Sequence, residues 1–151
     1  MTEVSNLQVL LSTMKPVLVA GEFVFCTFPG EGYGRRAELD PVCSINEPEG
    51  LTLVIPRERA DHAEIAYEST FVMITLQVHS SLSAVGLIAL VTAELASRGI
   101  SANVVSGFFH DHVFVPRNRD GDALRALVEL STRAKLFPDN TRDIFAVNTH
   151  G

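Results

Sequence analysis

The chain has 151 residues, an apolar share of 46% and a formal net charge of −6, enough apolar material for one large domain or two small lobes sharing a core. No basic cluster is denser than Arg35-Arg36 or Arg57-Glu58-Arg59, so nucleic acid, which is held through neutralised phosphates, is excluded as an expected partner. The longest uncharged apolar stretch, Ala84 to Ala93, falls far short of the ~20 residues a bilayer requires; with no charged-then-apolar leader, the expectation is no membrane association and a cytoplasmic location.

In chain order, Val4, Leu7, Leu10, Leu11 and Met14 form a helical stripe that Pro16 stops. Val17 to Val19 reads as a short strand and Gly21 to Phe28 as a firmer one. Pro29 to Arg36 is loop by composition. Its glycines suit a phosphate cradle, but the Gly-Lys-Ser/Thr ending of a P-loop is absent, and it reads as a surface connection. Val42 to Asn46 and Leu51 to Ile55 form a hairpin through Glu47-Pro48-Glu49-Gly50, followed by a short helix over Arg57 to Ile65. No helix is evident between the strands at Gly21 and Val42, so the N-terminal helix is expected to take the place of the missing crossover. Cys26 and Cys43 fall in predicted strands without CxxC or zinc-finger spacing and read as reduced core residues.

Phe71 to Val78 alternates, with Val72, Ile74, Leu76 and Val78 on one face, the two-residue period of a strand with one dry side. His79-Ser80-Ser81 breaks the pattern, and Ser81 or Ser83 is the expected N-cap of a helix over Leu82 to Arg98. Ala84, Leu87, Ile88, Val91 and Leu95 give that helix its apolar stripe, and Gly99 ends it as a left-handed residue. Ala102 to Phe109 and Val113 to Val115 read as strands joined around His110-Asp111. A last helix begins near Asp120, with Leu124, Leu127, Val128 and Ser131 on one face. Asp143 to Val147 suits a closing strand, but 137–151 reads rather as a tail.

The halves echo one another. Leu53-Val54-Ile55-Pro56-Arg57-Glu58-Arg59 is matched by Phe114-Val115-Pro116-Arg117-Asn118-Arg119, each a strand, a Pro-Arg-x-Arg exit and a helical stretch. The expected organisation is α+β with two lobes, 1–66 and 67–136, and a tail or closing strand over 137–151.

The loop His79 to Gly86 is the leading candidate site, because serine hydroxyls and helix N-terminal N–H groups converge there and suit a carboxylate. Capping alone would equally account for the serines. The expected ligand contacts are His79, Ser80, Ser81, Leu82, Val85, Gly86 and Leu87, faced by Asn103, Val104, Val105 and Ser106 on the following strand. Asn103 offers both donor and acceptor. A second constellation is His110-Asp111-His112, whose alternation puts two imidazoles on one face, with His79 a third ligand for a divalent metal. Two histidines at a turn are more often surface or hydrogen-bonded structural residues, and no acidic fourth ligand is evident. No Gly-x-Ser-x-Gly elbow, His-Glu-x-x-His motif or cysteine beside a histidine base is present, so neither catalysis nor a cofactor is expected.

Ser83-Ala84-Val85-Gly86-Leu87, a helix, and Arg98-Gly99-Ile100-Ser101-Ala102-Asn103 together resemble the signature of ACT domains, whose pattern is Asp-x-Pro-Gly-Leu, a helix and a Gly-Ile-Asn-Ile-like start to the second strand. With GEFVFCTF and EGLTLVIP, the chain resembles bacterial paired-ACT proteins related to the ACT modules of eukaryotic arginine sensors. The resemblance implies two ferredoxin-like βαββαβ lobes, antiparallel sheets covered by helices, an amino acid or similar small molecule held between modules, regulation in place of chemistry, and a homodimer. Ser83 stands where Asp or Asn is usual and Val85 where Pro is usual, so ligand identity does not transfer. The rival readings are a small metal-dependent enzyme using His79, His110 and His112, and a structural adaptor that pairs through its sheet edges.

Overall fold

The computed structural model describes residues 6–136. They form two compact units, Ala20–Val72 and the described parts of Met1–Val19 and Met73–Gly151. Residues up to Val19, expected in the first lobe, therefore pack with the second half of the sequence.

In this larger unit, helix α1 (Leu7–Thr13) is capped by Asn6, whose carboxamide oxygen accepts from Gln8 N at 2.9 Å. Strand β1 (Lys15–Leu18) then pairs antiparallel with the strand at Phe71–Gln77, Lys15 opposite Gln77 and Leu18 opposite Ile74. The proline at Pro16 sits in this short pairing, and helix α1 ends before it.

The unit Ala20–Val72 carries β2 (Phe23–Pro29), a 3₁₀ turn at Ala37–Leu39, β3 (Cys43–Glu47), β4 (Gly50–Pro56) and α2 (Arg57–His62). β4 lies between β3 and β2, antiparallel to both. Alternation sends Val24, Cys26 and Phe28 from β2 and Leu51, Leu53 and Ile55 from β4 into one core with Leu39 and Ala60. The β3–β4 hairpin turns tightly because Gly50 adopts φ +148°; a Cβ there would meet backbone atoms of Phe28 and Pro29. Both cysteines are free thiols, Cys26 buried and Cys43 partly so, and burial pushes the Cys26 thiol up.

From Met73 the larger unit continues with the rest of β5 (Phe71–Gln77), α3 (Leu87–Ser97), β6 (Asn103–Ser106), β7 (Asp111–Pro116) and α4 (Asp120–Leu136), with β7 between β5 and β6. α3 ends as expected: Gly99 has φ +69°, Gly99 N donates to Ala96 O and Ile100 N to Leu95 O, both at 3.0 Å, the two bonds of a Schellman motif. The face of α4 is rotated from the expected stripe. Ala123, Ala126, Leu127, Leu130, Ser131 and Ala134 are buried, whereas Val128 is exposed. Alanines let α1 approach closely, and the Ser131 hydroxyl donates to Met14 O at 3.2 Å.

The internal repeat is present in three dimensions. Pro56 (φ −56°, ψ 133°) and Pro116 (φ −54°, ψ 136°) leave their strands with the same backbone geometry. The second arginine of each motif then reaches a carbonyl at the end of the preceding crossover: Arg59 donates to Glu38 O at 3.2 Å and Arg119 to Arg98 O at 3.1 Å. The 3₁₀ turn at Ala37–Leu39 thus holds the position that α3 holds in the other unit, and α1 does not substitute for it, packing instead against α4. The expected closing strand or tail at 137–151 lies outside the described residues.

Candidate functional site

The connection from β5 to α3 is longer than expected, because the helix starts at Leu87 and not at Leu82. Ser81 does not cap it. Its hydroxyl accepts from Ser83 N at 3.1 Å and its carbonyl from Ala84 N at 2.9 Å, so the serines build a local turn. The N-cap is Gly86 at φ +102°, without a side-chain acceptor. Only glycine fits comfortably: φ is left-handed and a Cβ would stand 3.0 Å from Leu7 Cδ2. The N–H groups that open α3 are consequently left without a side-chain cap.

A cavity of about 140 Å³ lies at this uncapped end, lined by Ser80, Ser81, Leu82, Ala84 and Gly86 from the loop, Leu87, Ile88 and Ala89 from α3, and Ser106, Gly107 and Asp111 from the β6–β7 hairpin. Ser106 and Asp111 are paired across that hairpin and so share one sheet face. Ser80 and Asp111 are each only 8% exposed. Neither side chain has a hydrogen-bond or salt-bridge partner among the described residues. The loop and helix side thus presents serine hydroxyls and backbone donors with the positive end of a helix dipole, and the hairpin side presents the Asp111 carboxylate and the Ser106 hydroxyl.

Of the expected contacts, Ser80, Ser81, Leu82, Gly86, Leu87 and Ser106 line this cavity, and His79, Val85, Asn103, Val104 and Val105 do not. Val105 is paired with His112, and Asn103 alternates onto that same face, away from Asp111. Sequence reasoning passed over Asp111 as a turn residue. The available signal was its parity: it stands two residues before Val113, a core residue of the same strand face.

The histidines are engaged separately. His112 Nδ1 lies 3.0 Å from Thr75 Oγ1, His110 Nδ1 donates to Val78 O at 3.4 Å, and the His79 ring packs on Phe109 with centroids 5.9 Å apart. No group of three or more His, Cys, Asp or Glu residues able to hold a metal occurs among the described residues. Burial, and then the neighbouring His110, hold His112 below the usual imidazole range, with Asp111 opposing them.

Strand, crossover, strand, strand, helix, with a small cavity where the crossover helix begins, is the architecture of a ferredoxin-like module. Models of the ACT domain match residues 2–84 and 68–129. The chain belongs to the ACT-domain family, with two such domains in tandem. It is similar to a crystal structure from Vibrio cholerae described as a protein of unknown function and possible transport protein, at 44% identity and a TM-score of 0.76, covering 86% of this chain and 99% of that one. An Agobacterium tumefaciens protein is similar in fold at 19% identity and TM-score 0.66, covering 78% of this chain and 89% of that one. So is the ligand-free regulatory subunit of aspartate kinase from Thermus thermophilus, at 15% identity and TM-score 0.57, covering 78% and 95%. No curated protein matches the chain. No described helix is long and apolar enough to cross a membrane.

Proposed function

We propose that this protein is a cytoplasmic regulatory sensor that binds a small free amino acid at the start of α3 and carries no chemistry of its own. The observation that carries this reading is the cavity at an uncapped helix N-terminus in a tandem ACT protein. Unsatisfied N–H groups at a helix start receive a carboxylate without rearrangement. The volume of about 140 Å³ lies well below the ~300 Å³ at which clefts for drug-sized ligands begin, which suits a metabolite of few atoms. The likeness to the regulatory subunit of an aspartate kinase supports regulation as the role.

Association with a second copy is part of the proposal. Leu82 and Val85 on the loop and Phe108 and Phe109 on the β6–β7 turn are exposed apolar side chains, the kind of surface that interfaces cover. Binding regulates only by its difference in affinity between two arrangements of the protein, so the bound form must differ in loop order, lobe geometry or assembly.

The test is a thermal-shift screen of the free amino acids, since a ligand of the native state raises Tm by mass action. Ala89 is exposed on the first turn of α3 and lines the cavity. Ala89→Phe should abolish the response and leave the Tm of the free protein unchanged. A response to zinc or nickel alone would return the enzyme reading, and no response would leave the adaptor.

A further inference from the structure

We infer that Asp111, with Ser80, is the specificity determinant of this cavity and selects ligands that carry an ammonium group beside their carboxylate. The inference rests on the amino-acid-binding reading above and names what the second wall of the same site recognises.

The sequence from His79 to Ala89 contains no Asp or Glu, so the loop and the first turn of α3 supply donors and hydroxyls but no negative charge. Asp111 is the one carboxylate among the residues lining the cavity. It arrives from a different element, held on the same sheet face as Ser106 by their pairing across the hairpin. Asp111 is only 8% exposed as a residue, and a carboxylate in such surroundings normally has a cation or several donors beside it. Among the described residues Asp111 has neither, and its oxygens are not fully enclosed on a residue that lines the cavity. Ser80, equally buried and likewise without a side-chain partner, lines the same space. An ammonium group placed there would donate to the Asp111 carboxylate and the Ser80 hydroxyl while the ligand's carboxylate meets the N–H groups of α3. The two walls together match a zwitterion, and neither a plain carboxylic acid nor a plain amine satisfies both.

Matched ligand sets test this. For every free amino acid that raises the Tm of the wild type, half-saturation is measured by calorimetry and compared with the deaminated acid and the decarboxylated amine of the same skeleton; for L-alanine these are propionate and ethylamine. The wild type should bind each single-charge analogue at least tenfold more weakly. Asp111→Asn should weaken the amino acid at least tenfold and leave propionate unchanged, with the Tm of the free protein not lowered, because no ion pair or hydrogen bond of the Asp111 side chain is lost. Ser80→Ala should show the same pattern at smaller size. If propionate binds the wild type as well as alanine, or Asp111→Asn binds alanine undiminished, the assignment of Asp111 is overturned while the sensor reading stands. A lower Tm of free Asp111→Asn with unaltered ligand ratios shows a structural role and also overturns it. If no free amino acid binds the wild type, the functional reading falls and this inference with it.

Discussion

Arg133 Nη2 donates to Glu94 Oε2 at 2.5 Å across the α3–α4 contact, and Glu94, on the core side of its helix, is only 5% exposed. Arg98 joins from one helical turn later, at 3.0 Å from Glu94 Oε1 and 2.5 Å from Glu129 Oε2. Removing one partner of a buried ion pair strands the other charge. Glu94→Ala should therefore cost about 3 kcal/mol, read as a lower urea midpoint at constant slope. Glu94→Leu combined with Arg133→Met should recover most of it, because apolar side chains of similar volume replace buried pairs without loss.

Gly86→Ala meets two penalties, a left-handed backbone at φ +102° and a Cβ 3.0 Å from Leu7 Cδ2. The expected loss is about 1–3 kcal/mol. Adding Leu7→Ala relieves the steric part only, so a double-mutant cycle in urea should show positive coupling and an unrecovered remainder.

Gly50→Ala should be the harsher substitution. At φ +148° its Cβ would stand 2.8 Å from Pro29 Cα, and these neighbours are backbone, which cannot rotate away. Loss of the β2–β4 pairing follows. Amide exchange in Val24 to Phe28 should lose its protection, while Leu90 to Leu95 keeps its own.

His112 sets a pH dependence. Burial, then His110, lower its folded pKa below the ordinary value near 6.5. The unfolded chain thus binds more protons as pH falls through that range, so stability is full above about pH 6.5 and declines below it. Urea unfolding across about pH 5 to 8 should show the decline, and His112→Gln, which keeps a partner for Thr75, should flatten it.

The α+β class and the order of elements were legible because strand alternation, the helical stripe of α3 and the glycine at its end are local chemistry. The Pro-Arg-x-Arg echo was legible for the same reason, since a proline leaving a strand fixes its own φ. The helix start was misread at Ser81, whose hydroxyl satisfies Ser83 N in a turn equally well; serines offer caps and turns the same bond. The face of α4 was misread because leucine and valine outrank alanine by hydrophobicity, whereas a close helix approach favours the smaller side chain.

By itself, the sequence determined most of the elements and their repeat, and it singled out the loop at which the proposed site lies, since each depends on residues within a few positions of one another. Only the tertiary structure decided that β1 pairs with β5, that Glu94 is buried, and that Asp111 shares a cavity with Ser80 and the start of α3. Those residues are brought together by strand pairing and helix docking across long separations, and pairing fixes which face each side chain joins only once the partner strand is known.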